Sequence, residues 1–161
     1  MLTPASLVQI DREIAKYPHD QRQSAVMSAL RIAQVEKGWL SPELIEFVAQ
    51  YLGMPAIAVY EVATFYNMYD TQPVGKYKIT LCTNISCMLM GAPEIATYLK
   101  QRLECEFGET TVDGAFTLKE GECMGACCDA PLCTVNNHRM ETGLTREKVD
   151  QLIDALKLEK N

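Results

Sequence analysis

Asp70-Thr-Gln-Pro-Val-Gly-Lys-Tyr-Lys-Ile-Thr-Leu-Cys-Thr-Asn-Ile-Ser-Cys87 is where the chain changes character. Asp70 to Gly75 gathers turn formers and a proline, the composition of a boundary. From Lys76 to Thr80 the period becomes two, with Tyr77 and Ile79 alternating against Lys76, Lys78 and Thr80 before Leu81 and Cys82, and that is the pattern of a strand. The strand runs directly into a C-x4-C pair, Cys82 and Cys87. Everything before this stretch reads as helix and lacks cysteine; everything after it mixes strands, helices and thiols. Residues 1–72 are therefore expected to form a helical domain and residues 73–161 a second one.

Upstream, Leu7, Ile10 and Ile14 fall at helical spacing within Ser6 to Tyr17, and Val26, Ala29, Leu30 and Ala33 share one face of a stretch from about Gln21 to Lys37. Ser41-Pro42-Glu43 is a strong helix start: a hydroxyl cap, a first-turn proline, and an acid facing the helix dipole. Leu44, Ile45, Val48, Ala49 and Leu52 form the stripe that follows, and Gly53 ends it. A fourth helix from about Pro55 carries Ile57, Val62, Phe65 and Tyr66. These stripes describe a small helical bundle, with Tyr60, Phe65, Tyr66 and Tyr69 read as core, although part of the apolar surface is available to dock a partner.

Downstream, Ala92, Ile95, Ala96, Leu99 and Leu103 make an amphipathic helix. Thr110 to Leu118 pairs two strand-prone pieces around Asp113-Gly114. Leu132–Val135 and His138–Met140 flank Asn136-Asn137, a hairpin turn signal. Thr145 caps a last helix with Val149, Leu152, Ile153 and Leu156 inward. Helices followed by β-α-β-β-β-α predict an α+β chain, a helical bundle and then a small mixed sheet with helices packed on it.

The composition narrows the function. At 161 residues, 48% hydrophobic and 22% charged, the chain reads as an ordinary soluble globular protein of one domain or two small ones. A chain this long buries roughly 70% of the surface its unfolded form exposes. Its net charge of −6 argues against nucleic acid and anionic lipid as partners, since both need clustered positive charge. No apolar run approaches the ~20 residues of a membrane span, and Met1–Ile10 does not read as a secretory signal.

Seven cysteines are the anomaly, and five of them follow Gly91. Without an export signal, such clustering points to metal or redox chemistry more than to structural disulfides. Cys123-Met-Gly-Ala-Cys127 gives a second pair, C-x3-C, in a glycine-bearing loop where Gly121 and Gly125 permit tight turns and aim N–H groups at sulfur. The helix after Cys87 is expected to point its N-terminus at the first pair and favour thiolate. Four thiolates from two loops suit one [2Fe–2S] rhomb or one tetrahedral zinc. The spacers, longer than those of most structural zinc pairs, lean toward iron–sulfur, and buried unliganded thiols are the third reading. Cys128 adjoins Cys127 and makes a rival C-x4-C with Cys123. Cys105 and Cys133 read as small buried apolar residues.

Other chemistry is thin. No C-x-x-C, G-x-G-x-x-G or P-loop occurs. His19 and His138 have no ligand-spaced partner, and Glu120 with Glu122 reads as solvated loop charge. The chain can hold a redox centre but shows no substrate site.

Cys82-x4-Cys87, Gly121-Glu-Cys-Met-Gly-Ala-Cys127 and Ala130-Pro131 resemble the family of thioredoxin-like [2Fe–2S] subunits of NADH:quinone oxidoreductase, respiratory complex I. Gly38-Trp-Leu-Ser-Pro-Glu43, Ala63-Thr-Phe-Tyr66 and Gln72-Pro-Val-Gly75 are similar to stretches of the family's helical half, so the resemblance covers nearly the whole chain. It implies a thioredoxin-like second domain with one [2Fe–2S] cluster, Cys82, Cys87, Cys123 and Cys127 falling on the ligand positions. It also implies a partner subunit that binds FMN and NADH, other peripheral-arm subunits, and a place on the cytoplasmic side of the bacterial inner membrane without direct membrane contact. The equivalent diaphorase subunits of NAD-linked hydrogenases and formate dehydrogenases share the motif and are the rival assignment. A zinc-stabilised binding module and a disulfide oxidoreductase are more remote. Because the cluster is anionic and the chain acidic, a low reduction potential is expected.

Overall fold

The computed structural model describes residues 1–159 and divides into two compact units, Met1–Pro73 and one that opens at Val74.

The first unit is helical. Helix α1 spans Pro4–Ile14, α2 Val26–Lys37, α3 Pro42–Leu52 and α4 Ala56–Phe65, with a tight 3-10 segment over His19–Ala25. The caps explain the starts. Thr3 and Ser41 side chains accept from the N–H groups of Ser6 and Leu44, each at 3.3 Å, and a proline follows each cap. Gly53, at φ 70°, ends α3 in the left-handed conformation. The stretch from Gln21 is not the continuous α-helix its apolar spacing suggests. Gln21 itself departs from helical geometry (φ −116°, ψ 31°), so the regular ladder begins only at Val26.

The core of this unit joins Ile10 of α1, Ala29, Leu30 and Ala33 of α2, the whole α3 stripe, and Val59 and Ala63 of α4. Each large aliphatic buried here contributes about 1.5–3 kcal/mol. One expectation fails on α4. Its buried face is Val59 and Ala63, whereas Ile57 and Phe65 are 68% and 80% exposed. An apolar residue at helical spacing faces the core only if the stripe is in phase with the neighbouring helices, and these two are out of phase. Of the aromatic set only Tyr69 is buried; its hydroxyl donates to the Met27 carbonyl at 2.8 Å.

The second unit holds β1 (Tyr77–Cys82), α5 (Ile85–Leu89), α6 (Ala92–Leu103), β2 (Phe116–Gly121), β3 (Cys133–Val135), β4 (Arg139–Glu141) and α7 (Arg146–Leu158). The sheet order is β2-β1-β3-β4: β1 and β2 are parallel, and β3 and β4 continue antiparallel. The parallel pair needs a crossover, which α5 and α6 supply. Asn136 and Asn137, at φ 50° and 61°, make the tight β3–β4 turn. The strand-prone piece before Asp113 contributes a single bridge, Thr110 to Thr117, because the chain turns back at once through Thr111–Gly114. Ile95, Leu99 and Leu103 of α6 and Val149, Leu152, Ile153 and Leu156 of α7 bury against Ile79, Leu81, Phe116 and Leu118. Arg102 and Tyr98 of α6 both hold Asp150 of α7, at 3.0 and 2.7 Å.

Among the described residues no helix is long and apolar enough to cross a membrane.

Candidate metal centre

The sheet gathers three segments at one edge. Because β1 and β2 run parallel, their carboxyl ends lie together, with Cys82 opposite Gly121. Strand β3 runs the other way, so its start, Cys133 opposite Leu81, arrives at the same edge. Cys82 is thus the last residue of a strand, Cys123 follows the end of the next, and Cys127 opens a short 3-10 turn leading toward the third. Backbone bonds seal the junction. Cys82 N–H donates to the Leu132 carbonyl and Thr83 N–H to the Gly121 carbonyl, both at 3.0 Å. The peptide between Ala130 and Pro131 is cis.

Cys87 is placed differently from expectation. It lies inside α5, a five-residue helix that the apolar spacing did not reveal, and not in a loop ahead of the next helix. It packs with Cys82, Ala92, Ala130 and Leu132, Met124 and Ala126 covering them. Cys82 and Cys87 are buried, while Cys123 and Cys127 are exposed. The four thiols are one electrostatic group. The Cys123 and Cys127 sulfurs are 3.4 Å apart, Cys87 hydrogen-bonds to Cys82, and Cys127 lies within the field of both Cys123 and Cys82.

Their acidities diverge for identifiable reasons. Burial, and then the hydrogen bond to Cys82, pushes the Cys87 thiol up to about 11. The expectation of a favoured thiolate at Cys87 therefore fails, because burial and the Cys82 hydrogen bond raise its thiol. The Gly125 N–H, donated to sulfur, and the hydrogen bond from Cys127 hold Cys123 below the ordinary thiol range. Cys127 is raised, first by that same bond and then by Cys123's charge, with the Ser86 hydroxyl acting the other way.

The glycines divide the work. Gly125, at φ +83°, gives the turn that points its N–H at Cys123. Gly121 is needed for closeness instead: a Cβ there would meet Thr80 Cγ2 at 2.7 Å and Met124 Cε at 2.9 Å.

The donor set fits a [2Fe–2S] group. Four sulfurs are supplied two by two, one pair buried and one exposed, with the Leu132 and Gly125 N–H groups and the Ser86 hydroxyl turned toward sulfur. Among the described residues, no three His, Cys, Asp or Glu groups converge as a single ion requires. Cys128 is exposed in the same turn as Cys127, and Cys105 and Cys133 are buried elsewhere in the second unit.

Sequence reading missed a polar bridge. The Asn84 side chain accepts from Ile85 N–H at 3.0 Å and donates to Glu122 Oε2 at 2.6 Å, joining the two cysteine loops. Glu122 is thus a partnered carboxylate, not free loop charge. The available signal was its position beside Cys123, opposite an asparagine that precedes a helix.

This arrangement defines a class: a sheet-edge cysteine site on a mixed four-stranded domain. The chain belongs to the thioredoxin-like [2Fe–2S] ferredoxin family, whose model matches residues 10–157. It is 43% identical over 149 residues to an E-type subunit of the NADH-quinone oxidoreductase of Rhizobium meliloti, covering 92% of this chain and 87% of that one. It is 44% identical to the E-type subunit of the same complex in Rickettsia conorii, covering 89% and 86%, and 38% identical to subunit 2 of the Thermus thermophilus complex, covering 92% and 82%. Its fold is also like that of an NAD+-reducing [NiFe]-hydrogenase solved in the air-oxidized state, with a TM-score of 0.72 at 20% identity, over 88% of this chain and 24% of that one.

Proposed function

We propose that this chain is the electron-transfer subunit of an NADH:quinone oxidoreductase, holding one [2Fe–2S] cluster on Cys82, Cys87, Cys123 and Cys127. The observation that carries the ligand assignment is the gathering of these thiols, in two pairs, at one edge of the sheet. The oxidoreductase assignment rests on identities of 38–44% to subunits of that complex over most of the chain. The likeness to the hydrogenase is one of fold alone, so the diaphorase reading ranks second.

When bound, the cluster supplies a one-electron redox centre. The protein's part is to hold and bias it. Cys82 and Cys87 grip from the buried side, which fixes position and limits water. Cys123 and Cys127, at the surface, would hold it from the exposed side. Backbone N–H groups of Leu132 and Gly125 face sulfur and offset the anionic charge. We place the FMN- and NADH-binding subunit on that exposed side, within a peripheral arm on the cytoplasmic face of the bacterial membrane. On this reading the electron donor is another subunit.

The test is EPR of anaerobically purified protein before and after dithionite. A silent oxidised sample that gains the rhombic signal of a coupled ferrous–ferric pair supports the reading, with loss of that signal in Cys82→Ser and Cys123→Ser. Normal spectra in both variants would sink the ligand assignment, and a colourless protein carrying zinc would overturn electron transfer. Co-purification with the flavin subunit tests the partner; a chain that stays alone when the two are co-expressed counts against it.

A further inference from the structure

We infer that Asn84 and Glu122 are positioning residues of this centre: their side chains clasp the two cysteine loops together and hold a fixed negative charge beside Cys123. The inference rests on the cluster assignment above and concerns residues outside the ligand set. Asn84 stands between Cys82 and Cys87, and Glu122 immediately precedes Cys123. Asn84 Nδ2 donates to Glu122 Oε2 at 2.6 Å, a short charge-assisted bond. The asparagine is itself held, since its Oδ1 accepts from Ile85 N–H and caps α5, the helix that carries Cys87. One side chain therefore sets the start of that helix and ties it to the opposite loop. The neighbouring Thr83-to-Gly121 backbone bond fixes the register in which the clasp closes.

Two consequences follow, separable by chemistry. The clasp holds the loops closed, so cutting it speeds loss of iron. The Glu122 carboxylate, next to Cys123 in the chain and held in place by Asn84, opposes any added negative charge at the sulfurs. Removing the charge therefore makes the centre easier to reduce, an effect that added salt weakens because the site is partly exposed.

The experiment uses the holo chain and the variants Asn84→Ala, Glu122→Ala and Glu122→Gln. Glutamine keeps an acceptor oxygen for Asn84 but carries no charge. Expected is a reduction potential shifted positive in Glu122→Gln at low salt, converging on wild type at high salt, with iron release to a chelator near the wild-type rate. Asn84→Ala and Glu122→Ala should release iron roughly three- to tenfold faster, the effect of one hydrogen bond, and the double alanine variant no faster than Asn84→Ala, which already loses both the clasp and the α5 cap. A Glu122→Gln potential equal to wild type at low salt would overturn the charge role. Wild-type release rates in both alanine variants, or strictly multiplicative rates in the double variant, would overturn the clasp. If an alanine variant does not fold, Asn84→Ser, with its shorter reach, takes its place in the release assay. Failure of the wild-type chain to show any [2Fe–2S] spectrum would overturn the cluster assignment and this inference with it, whereas a normal wild-type spectrum with unmoved variants would overturn the clasp alone.

Discussion

Cys133 and Cys123 carry the same functional group in opposite settings. Cys133 sits in β3 between Leu81 and Glu141, is 1% exposed, and burial pushes its thiol from 9.0 up to about 12. Cys123 lies at the surface with an N–H aimed at its sulfur and is shifted down. The first thiol is inert and the second disposed to bind metal. For Cys133 the sign of the linkage is definite. The unfolded chain surrenders this proton first, so the stability it contributes is fully present below about 9 and is lost as pH rises through about 12. Urea unfolding of the cluster-free chain should show stability falling above pH 9 by up to about 1.4 kcal/mol per pH unit from this group. Cys133→Ala should flatten that alkaline limb even if it lowers the starting value. An equally steep limb in the variant would assign the loss to other groups. That Cys105, near a helix end, and Cys133, in a strand, are buried was legible from cysteine's habit of packing as a small apolar residue. The split between Cys123 and Cys127 was not, because it depends on which sulfur the Gly125 N–H meets.

At the scale of elements, the parallel pairing of β1 and β2 does most to build the site, and Gly121 lets the strand ends close. The Cβ of Gly121→Ala would press on Thr80 Cγ2 and Met124 Cε. The methionine end can swing aside, but Thr80 is branched at Cβ and stiff, so the strands themselves have to give. A loss of about 1–3 kcal/mol is expected on thermal or urea unfolding, as for other overpacked sites. Gly125→Ala is the informative contrast. Nothing lies within 4 Å of its added Cβ, and only the positive φ opposes it, so the expected loss is about 1 kcal/mol. Equal losses in the two variants would show that strand contact is not what Gly121 protects. Sequence reading assigned both glycines to tight turning, which is right for Gly125 alone. A turn glycine is visible locally, whereas the need for closeness at Gly121 depends on Thr80 lying across the sheet, a matter of register. The same limit explains α4. Periodicity identified the helix, but which side faces the bundle is decided by neighbours, and Ile57 and Phe65 lie on the other side. Where one segment carried its own signal, as in the Ser41-Pro42 start, the Asn136-Asn137 turn and the α7 stripe, expectation and structure agree.

At the scale of the whole molecule, the separation of cores decides how loss of the cluster is felt. The buried set from Leu2 to Tyr69 lies wholly in the first unit. The set around β1, α6, β2 and α7, and the smaller one around Cys82 and Cys87, lie wholly in the second. Cluster binding free energy is coupled to the folding of the segments that supply ligands. On the proposed ligand set, those segments are the end of β1 with α5, and the chain from Gly121 to Cys127. Stripping the iron should therefore loosen the second unit first, beginning with those ligand-bearing segments. Hydrogen exchange read by mass spectrometry on holo and chelated chain checks this. Peptides covering residues 82–91 and 121–132 should lose the most protection, those from β1 and α6 less, and those from α2 and α3 should exchange as before. Equal deprotection along the whole chain would mean that the cluster stabilises both units together, and unchanged exchange at 82–91 would mean that the thiol edge is fully formed without iron.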